Sequence, residues 1–185
     1  MGNENGMDVP VGLWDALNRL AFSDGYTVEV QPTGGTCDAF ADYDAKLIVV
    51  SDRLDEATAV ARLAHEIGHV RLHSPGHWLA SQSTPGREVR EVEAESVAFL
   101  VMAHHGVSMG TASLEYMADW LLALGPGSPA DVIKAIGPRI VNTAEDLIRS
   151  TSAHMEFISA ARPRPATRAF EPDFLSVDLD GPALW

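Results

Sequence analysis

The stretch ARLAHEIGHVRLH, residues 61–73, sets two histidines four positions apart, with a glutamate directly after the first. In an α-helix, positions i and i+4 stack on one face, so His65 and His69 can aim two imidazole nitrogens at one ion. Glu66 falls about 100° further round the helix, beside the ligands and not among them. A base at that place can take a proton from a metal-activated water. The H-E-x-x-H spacing therefore carries a mechanism, hydrolysis at a zinc ion. A catalytic zinc takes three protein ligands and leaves a fourth position open, so a further ligand must be found.

His73 continues the i+4 series, but geometry rejects it. Eight residues of helix rise about 12 Å, whereas zinc–nitrogen bonds are only about 2.0–2.1 Å. The longer spacing of the metzincins would need a histidine where Pro75 stands, and His77 could be reached only by a sharp reversal after the helix. A better source is REVREVEAESVAFLV, residues 87–101. Glu91 and Glu95 share a face there, and Ala94 and Ala98 are small enough to let two helices approach. One carboxylate would complete a His2Glu site and another would orient a ligand imidazole. Composition alone leaves Glu91, Glu93 and Glu95 open as the ligand, and Glu91 also has Arg87 at i−4 as an ion-pair partner. Tyr116, His104 and His105 are candidate oxyanion donors beside the metal. Gly68 costs a helix interior about 1 kcal/mol relative to alanine, which close packing of a neighbouring backbone would explain.

The elements that must position these groups read as an α+β fold. Residues 11–22 have apolar side chains at helical spacing. Strand-like segments follow at about 26–31, 37–43 and 46–50, and suggest a small antiparallel meander of three strands. From about Leu54 the apolar positions Ala57, Val60, Leu63, Ala64, Ile67 and Val70 repeat every three or four residues, giving the helix that carries the histidines. Thr84 and Pro85 fit an N-cap and first turn, and the next helix should run to about His105, ended by Gly106. A further helix spans about 112–124 and stops at Gly125-Pro126. Ser128 to Asp131 restarts helix, Gly137-Pro138 should kink or split it, and the last helix reaches about Ala160. The expected count is five to six helices, in one domain over 1–160, with 161–185 an extended tail. The strand at 46–50, just before the metal helix, could present an edge for substrate.

HEIGH followed by EVEAESVAFL resembles the ImmA/IrrE-type zinc metallopeptidases. The resemblance covers about residues 36–150 and implies a gluzincin-like, zincin-type fold. It also implies a third ligand at the first glutamate of an E-x-x-A-[ND] stretch, here Glu91. The last position of that stretch is Glu95, a variant similar to the metallopeptidase domain of ArdC-type antirestriction proteins, as is YMADWLLAL at 116–124. These families imply roles in phage, mobile-element or stress regulation. The mechanism they imply puts zinc on His65, His69 and Glu91, with Glu66 the catalytic base, Glu95 orienting a ligand histidine and Tyr116 a candidate oxyanion donor.

Composition sets the bounds. A chain of 185 residues with 46% apolar residues suits a globular protein. The single cysteine, Cys37, excludes a disulfide framework and is expected to be a small buried residue. The N-terminus has neither the basic nor the apolar region of a signal peptide, and no apolar run approaches a membrane span, so a cytoplasmic protein is expected. A net charge of −13 argues against phosphate-backbone binding. An ArdC-type single-stranded-DNA-binding domain is not expected, for want of room and of a basic patch. The expected partner is a protein or peptide substrate. The competing reading is a non-catalytic antirestriction or repressor-binding protein that keeps a zinc site. An intact Glu66 favours the enzyme, because a purely structural site has no use for a base.

Overall fold

The computed structural model describes residues 9–35, 37–75, 86–123 and 129–161. The order is α1 (Leu13–Ser23), β1 (Thr27–Gln31), β2 (Ala39–Asp42), β3 (Leu47–Ser51), α2 (Glu56–His73), α3 (Arg87–His104), α4 (Gly110–Ala123) and α5 (Pro129–Ala161). The fold is α+β, as expected, but the sheet is not an antiparallel meander. Its order is β1-β3-β2. β2 and β3 form an antiparallel hairpin, whereas β1 runs parallel to β3, with Thr27 opposite Leu47 and Gln31 opposite Ser51.

Side-chain burial explains the order. β3 reads LIVVS, and Ile48, Val49 and Val50 are all buried. A strand covered on both faces belongs in the middle of a sheet. The flanking strands TVEVQ and AFAD are mostly exposed or half-buried, which suits edges. The expectation that 46–50 offers a free edge is therefore corrected: β3 is central, and β2 is the edge strand beside the cleft. The turn between β2 and β3 is held by Asp42 Oδ1, which accepts from the backbone N–H of Asp44 and of Ala45 at 3.0 and 2.9 Å.

α2 begins at an N-cap, Asp55, whose carboxylate accepts from the Thr58 N–H at 2.9 Å. Val60, Leu63, Ala64, Ile67 and Val70 are buried, so the face read from the sequence is the core face. α3 starts at Arg87; Thr84 and Pro85 lie outside the described residues. Its end is marked by Gly106 at φ +75°, where the Val107 N–H returns to the Met102 carbonyl at 2.9 Å. The close approach expected at Gly68 is present. A Cβ there would stand 3.2 Å from Ala94 Cα and 3.3 Å from Ala94 O, so α2 and α3 touch backbone to backbone. Gly137-Pro138 does not split the last segment, because α5 continues through Pro138 for 33 residues. The buried Ile136, Ile140, Ala144 and Leu147 tie it into the same core as α1, α2 and α3. The tail expected at 161–185 lies, beyond Ala161, outside the described residues.

Candidate metal centre

His65 and His69 project from one face of α2, and their Nε2 atoms stand 3.0 Å apart. α3 brings Glu91 Oε2 to 3.5 Å from His65 Nε2 and 3.6 Å from His69 Nε2. An ion with tetrahedral bonds of about 2.0–2.1 Å separates its ligand atoms by roughly 3.3 Å. The three edges bracket that figure, so these residues could hold a metal. The donor set, two imidazoles and one carboxylate, is also that of His2Glu hydrolytic zinc sites. Glu91 satisfies its sequence-level alternative as well, since its Oε1 lies 3.9 Å from Arg87 Nε at i−4. One oxygen faces the histidines and the other faces the exposed arginine.

Every glutamate at 91, 93 and 95 is engaged, each differently. Glu95 is buried, and its Oε2 accepts from His65 Nδ1 at 2.8 Å and from Arg62 Nη1 at 3.3 Å. Its Oε1 accepts from the Ser113 hydroxyl of α4. Burial raises the Glu95 pKa, but the bonds from His65 and Ser113 outweigh it and hold the carboxyl below its ordinary range. Glu91 is lowered in the same way by His65 and His69. Burial would lower His65, yet the bonds to Glu91 and Glu95 raise it to about 9. Both carboxylates favour the protonated form of this imidazole. Glu93 reaches neither ligand imidazole directly and bonds to His73 instead, at 2.9 Å.

Glu66 is buried and makes no hydrogen bond or ion pair among the described residues. Burial raises its pKa against the pull of His65 and His69. A carboxylate held ready to accept a proton, with no partner to satisfy it, is suited to general-base work.

These groups line a cleft of about 520 Å³. α4 supplies Tyr116, whose hydroxyl donates to Glu91 Oε2 at 3.2 Å. The cleft therefore includes Tyr116 but not His104 and His105, the other oxyanion candidates. Those two turn to α5, where His105 Nε2 meets the Thr151 hydroxyl at 2.8 Å and His104 Nε2 lies 3.4 Å from Ser152 Oγ. His77 lies outside the described residues. Cys37 is exposed at the cleft, not buried, because the turn before an edge strand has no layer to cover it.

Sequence reasoning missed Tyr43, Arg62 and Arg90, all in the cleft wall. Tyr43 is pushed up to about 12 by burial and by the nearby Glu66. Arg90 directly precedes Glu91 in the chain, and that adjacency is the signal in the sequence that points to it.

A pair of histidines and a glutamate on two packed helices, with an uncommitted glutamate beside them, suggests a metal-dependent hydrolase. Comparison with known proteins points the same way for part of the chain. Residues 26–112, somewhat less than half of the 185-residue chain, match the Peptidase_M78 family, the IrrE N-terminal-like domain. The match spans the sheet, α2 and α3. An uncharacterized protein of Bacillus anthracis is 32% identical over 80 residues, covering 43% of this chain and 13% of that protein. The chain thus aligns with a small part of that relative's length. No solved structure matches. The family match supports a metallopeptidase-type domain over residues 26–112, and with the His65, His69 and Glu91 group it suggests a metal. No helix among the described residues is long and apolar enough to cross a membrane.

Proposed function

We propose that this chain is a zinc-dependent metalloendopeptidase of the ImmA/IrrE type, with a zincin-like catalytic unit over residues 1–160. The observation that carries the reading is the triangle of His65, His69 and Glu91 ligand atoms, 3.0 to 3.6 Å on its edges, with the uncommitted Glu66 alongside. In this reading His65, His69 and Glu91 hold zinc, which when bound supplies Lewis acidity toward a water and a peptide carbonyl. Glu66 takes the proton from the attacking water and delivers it to the leaving amine. Glu95 fixes the His65 ring through Nδ1. Tyr116 stands at the rim to donate to the substrate oxygen as charge develops there.

The edge strand β2 lies along the cleft, with Ala39, Phe40 and Ala41 in its wall. An extended peptide adding to that edge would run past Glu66. The substrate would then be a regulatory protein with an exposed extended segment, in a phage, mobile-element or stress-response setting inside the cell. The Glu95 variant of the motif and the 116–124 stretch support placement near the ArdC-type branch.

The test is zinc content and peptide cleavage for wild type beside Glu66→Gln. Zinc should stay at about one per chain while cleavage falls by at least ~10²-fold, as loss of a general base costs. Undiminished cleavage by the variant would remove Glu66 from the mechanism. A biological effect that survives in Glu66→Gln would favour the non-catalytic, repressor-binding alternative.

A further inference from the structure

His73 cannot reach the ion, yet it is not idle. Its Nδ1 lies 3.1 Å from His69 Nδ1, and its Nε2 lies 2.9 Å from Glu93 Oε2. The side chains of His73 and Glu93 are both 0% exposed. Beyond them, Arg139 of α5 places Nη1 3.4 Å from Glu93 Oε1, and its Nη2 donates to the Leu72 carbonyl at 3.4 Å. A chain of polar contacts thus runs from the metal-facing imidazole through α2 and α3 to α5.

We propose that His73 and Glu93, braced by Arg139, are positioning residues that hold the His69 ring with Nε2 bare and turned toward the metal position. The proposal rests on the metallopeptidase reading of that site.

Hydrogen-bond chemistry fixes the direction of the chain. A carboxylate only accepts, so His73 Nε2 must carry a hydrogen and donate it to Glu93. A neutral His73 then has a bare Nδ1, which can only accept. His69 Nδ1 must therefore donate, leaving His69 Nε2 without a hydrogen and free to bind a cation. The other ligand, His65, is set by the same logic in one step, with Nδ1 directly on Glu95 at 2.8 Å. Alternate glutamates of α3 thus serve the two imidazoles, Glu95 directly and Glu93 through His73. Burying an imidazole and a carboxylate costs more than filling the same space with apolar side chains. A role in packing alone leaves that cost unexplained, whereas a role in orienting a ligand accounts for it.

The test uses the full chain. Zinc affinity by competition with a chromophoric chelator, and the visible spectrum of the cobalt-substituted protein, are measured for wild type, Glu93→Gln and His73→Phe. Val101→Ala serves as the control, since Val101 is buried on α3 away from the relay. Melting of each metal-free protein reports structural damage separately. Loss of such an outer partner weakens metal binding about 10- to 100-fold. That loss, with an altered cobalt spectrum, is expected for both relay variants. Val101→Ala should lower the melting temperature and leave the spectrum unchanged. Should His73→Phe not fold, Glu93→Gln, which keeps shape and removes only charge, carries the test. Relay variants that bind zinc as the control does, with the wild-type cobalt spectrum, would overturn the proposal. Wild type that takes up no zinc would overturn the site reading itself, a distinct result.

Discussion

Replacing Gly68 with alanine sets two effects on stability against each other and also disturbs the candidate metal site. The new methyl would stand 3.2 Å from Ala94 Cα and 3.3 Å from Ala94 O. Carbon contacts are comfortable at about 3.5–4.0 Å, so α3 would have to recede by roughly 0.3–0.8 Å. Removing a glycine from a helix interior gains about 1 kcal/mol, whereas overpacking a close contact costs about 1–3 kcal/mol. The metal-free protein should therefore lie between unchanged and ~2 kcal/mol less stable. Metal binding should respond more strongly, because Glu91, Glu93 and Glu95 all sit within one turn of Ala94 and move with it. A shift of this size in one ligand and two supporting carboxylates should weaken zinc by at least ~10-fold. Urea unfolding with and without zinc measures both quantities, since the stabilisation by zinc reports its affinity by mass action. A Gly68→Ala protein with lower metal-free stability but an undiminished zinc increment would refute the claim that this contact sets the distance between the ligand-bearing helices.

Other expectations follow from single contacts. Glu95→Gln keeps an acceptor for His65 Nδ1 but removes the charge that Arg62 and Ser113 also meet; zinc affinity should fall ~10- to 100-fold with an unchanged circular dichroism spectrum, read by chelator competition. Tyr116→Phe should lower kcat by ~10²-fold if the hydroxyl stabilises the substrate oxygen, and elemental analysis should still find full zinc. Asp55→Ala removes the cap of α2 and should cost about 1 kcal/mol at neutral pH. Bonds from Thr58 hold the Asp55 carboxyl below its ordinary value. A depressed folded value gives stability that is present above the unfolded pKa and lost as pH falls through and below it. The gap between wild type and Asp55→Ala in urea midpoint should accordingly close on acidification past about pH 4. A gap that persisted in acid would mean the cap does not depend on charge.

The helix bearing the histidines is legible in the sequence because its apolar period and its chemical spacing coincide. His65, Glu66 and His69 follow from that spacing alone. Which of Glu91, Glu93 and Glu95 faces them does not follow, since each stands within reach of a helix whose rotation about its axis depends on tertiary packing. The close approach at Gly68–Ala94 is part of that packing. The sheet order misleads for a local reason. Short strands joined by short turns favour a meander, yet LIVV is a continuous apolar run, the pattern of a central strand. Weighing that pattern above chain proximity moves β3 inward and leaves β2 at the cleft. His73 lies too far along the helix to share an ion with His65, and its contact with a residue 20 positions away has no periodic signature to reveal its part. Pro138 has the local signature of a helix breaker, but burial of Ile136 and Ile140 on either side outweighs the missing backbone donor.

The outer edge of β2, unpaired among the described residues, has a second consequence. Backbone groups available to a substrate strand are equally available to the edge of another molecule, and such edges invite chains to stack. Here the exposure is kept small. The strand is only four residues long, Ala39–Asp42, and it is bracketed by Asp38 on one side and Asp42 at its end. Two like edges brought together would oppose carboxylate to carboxylate, on molecules that each already carry a net charge of −13. The acidity of this chain thus acts as a gatekeeper against self-assembly at the strand proposed to receive its substrate.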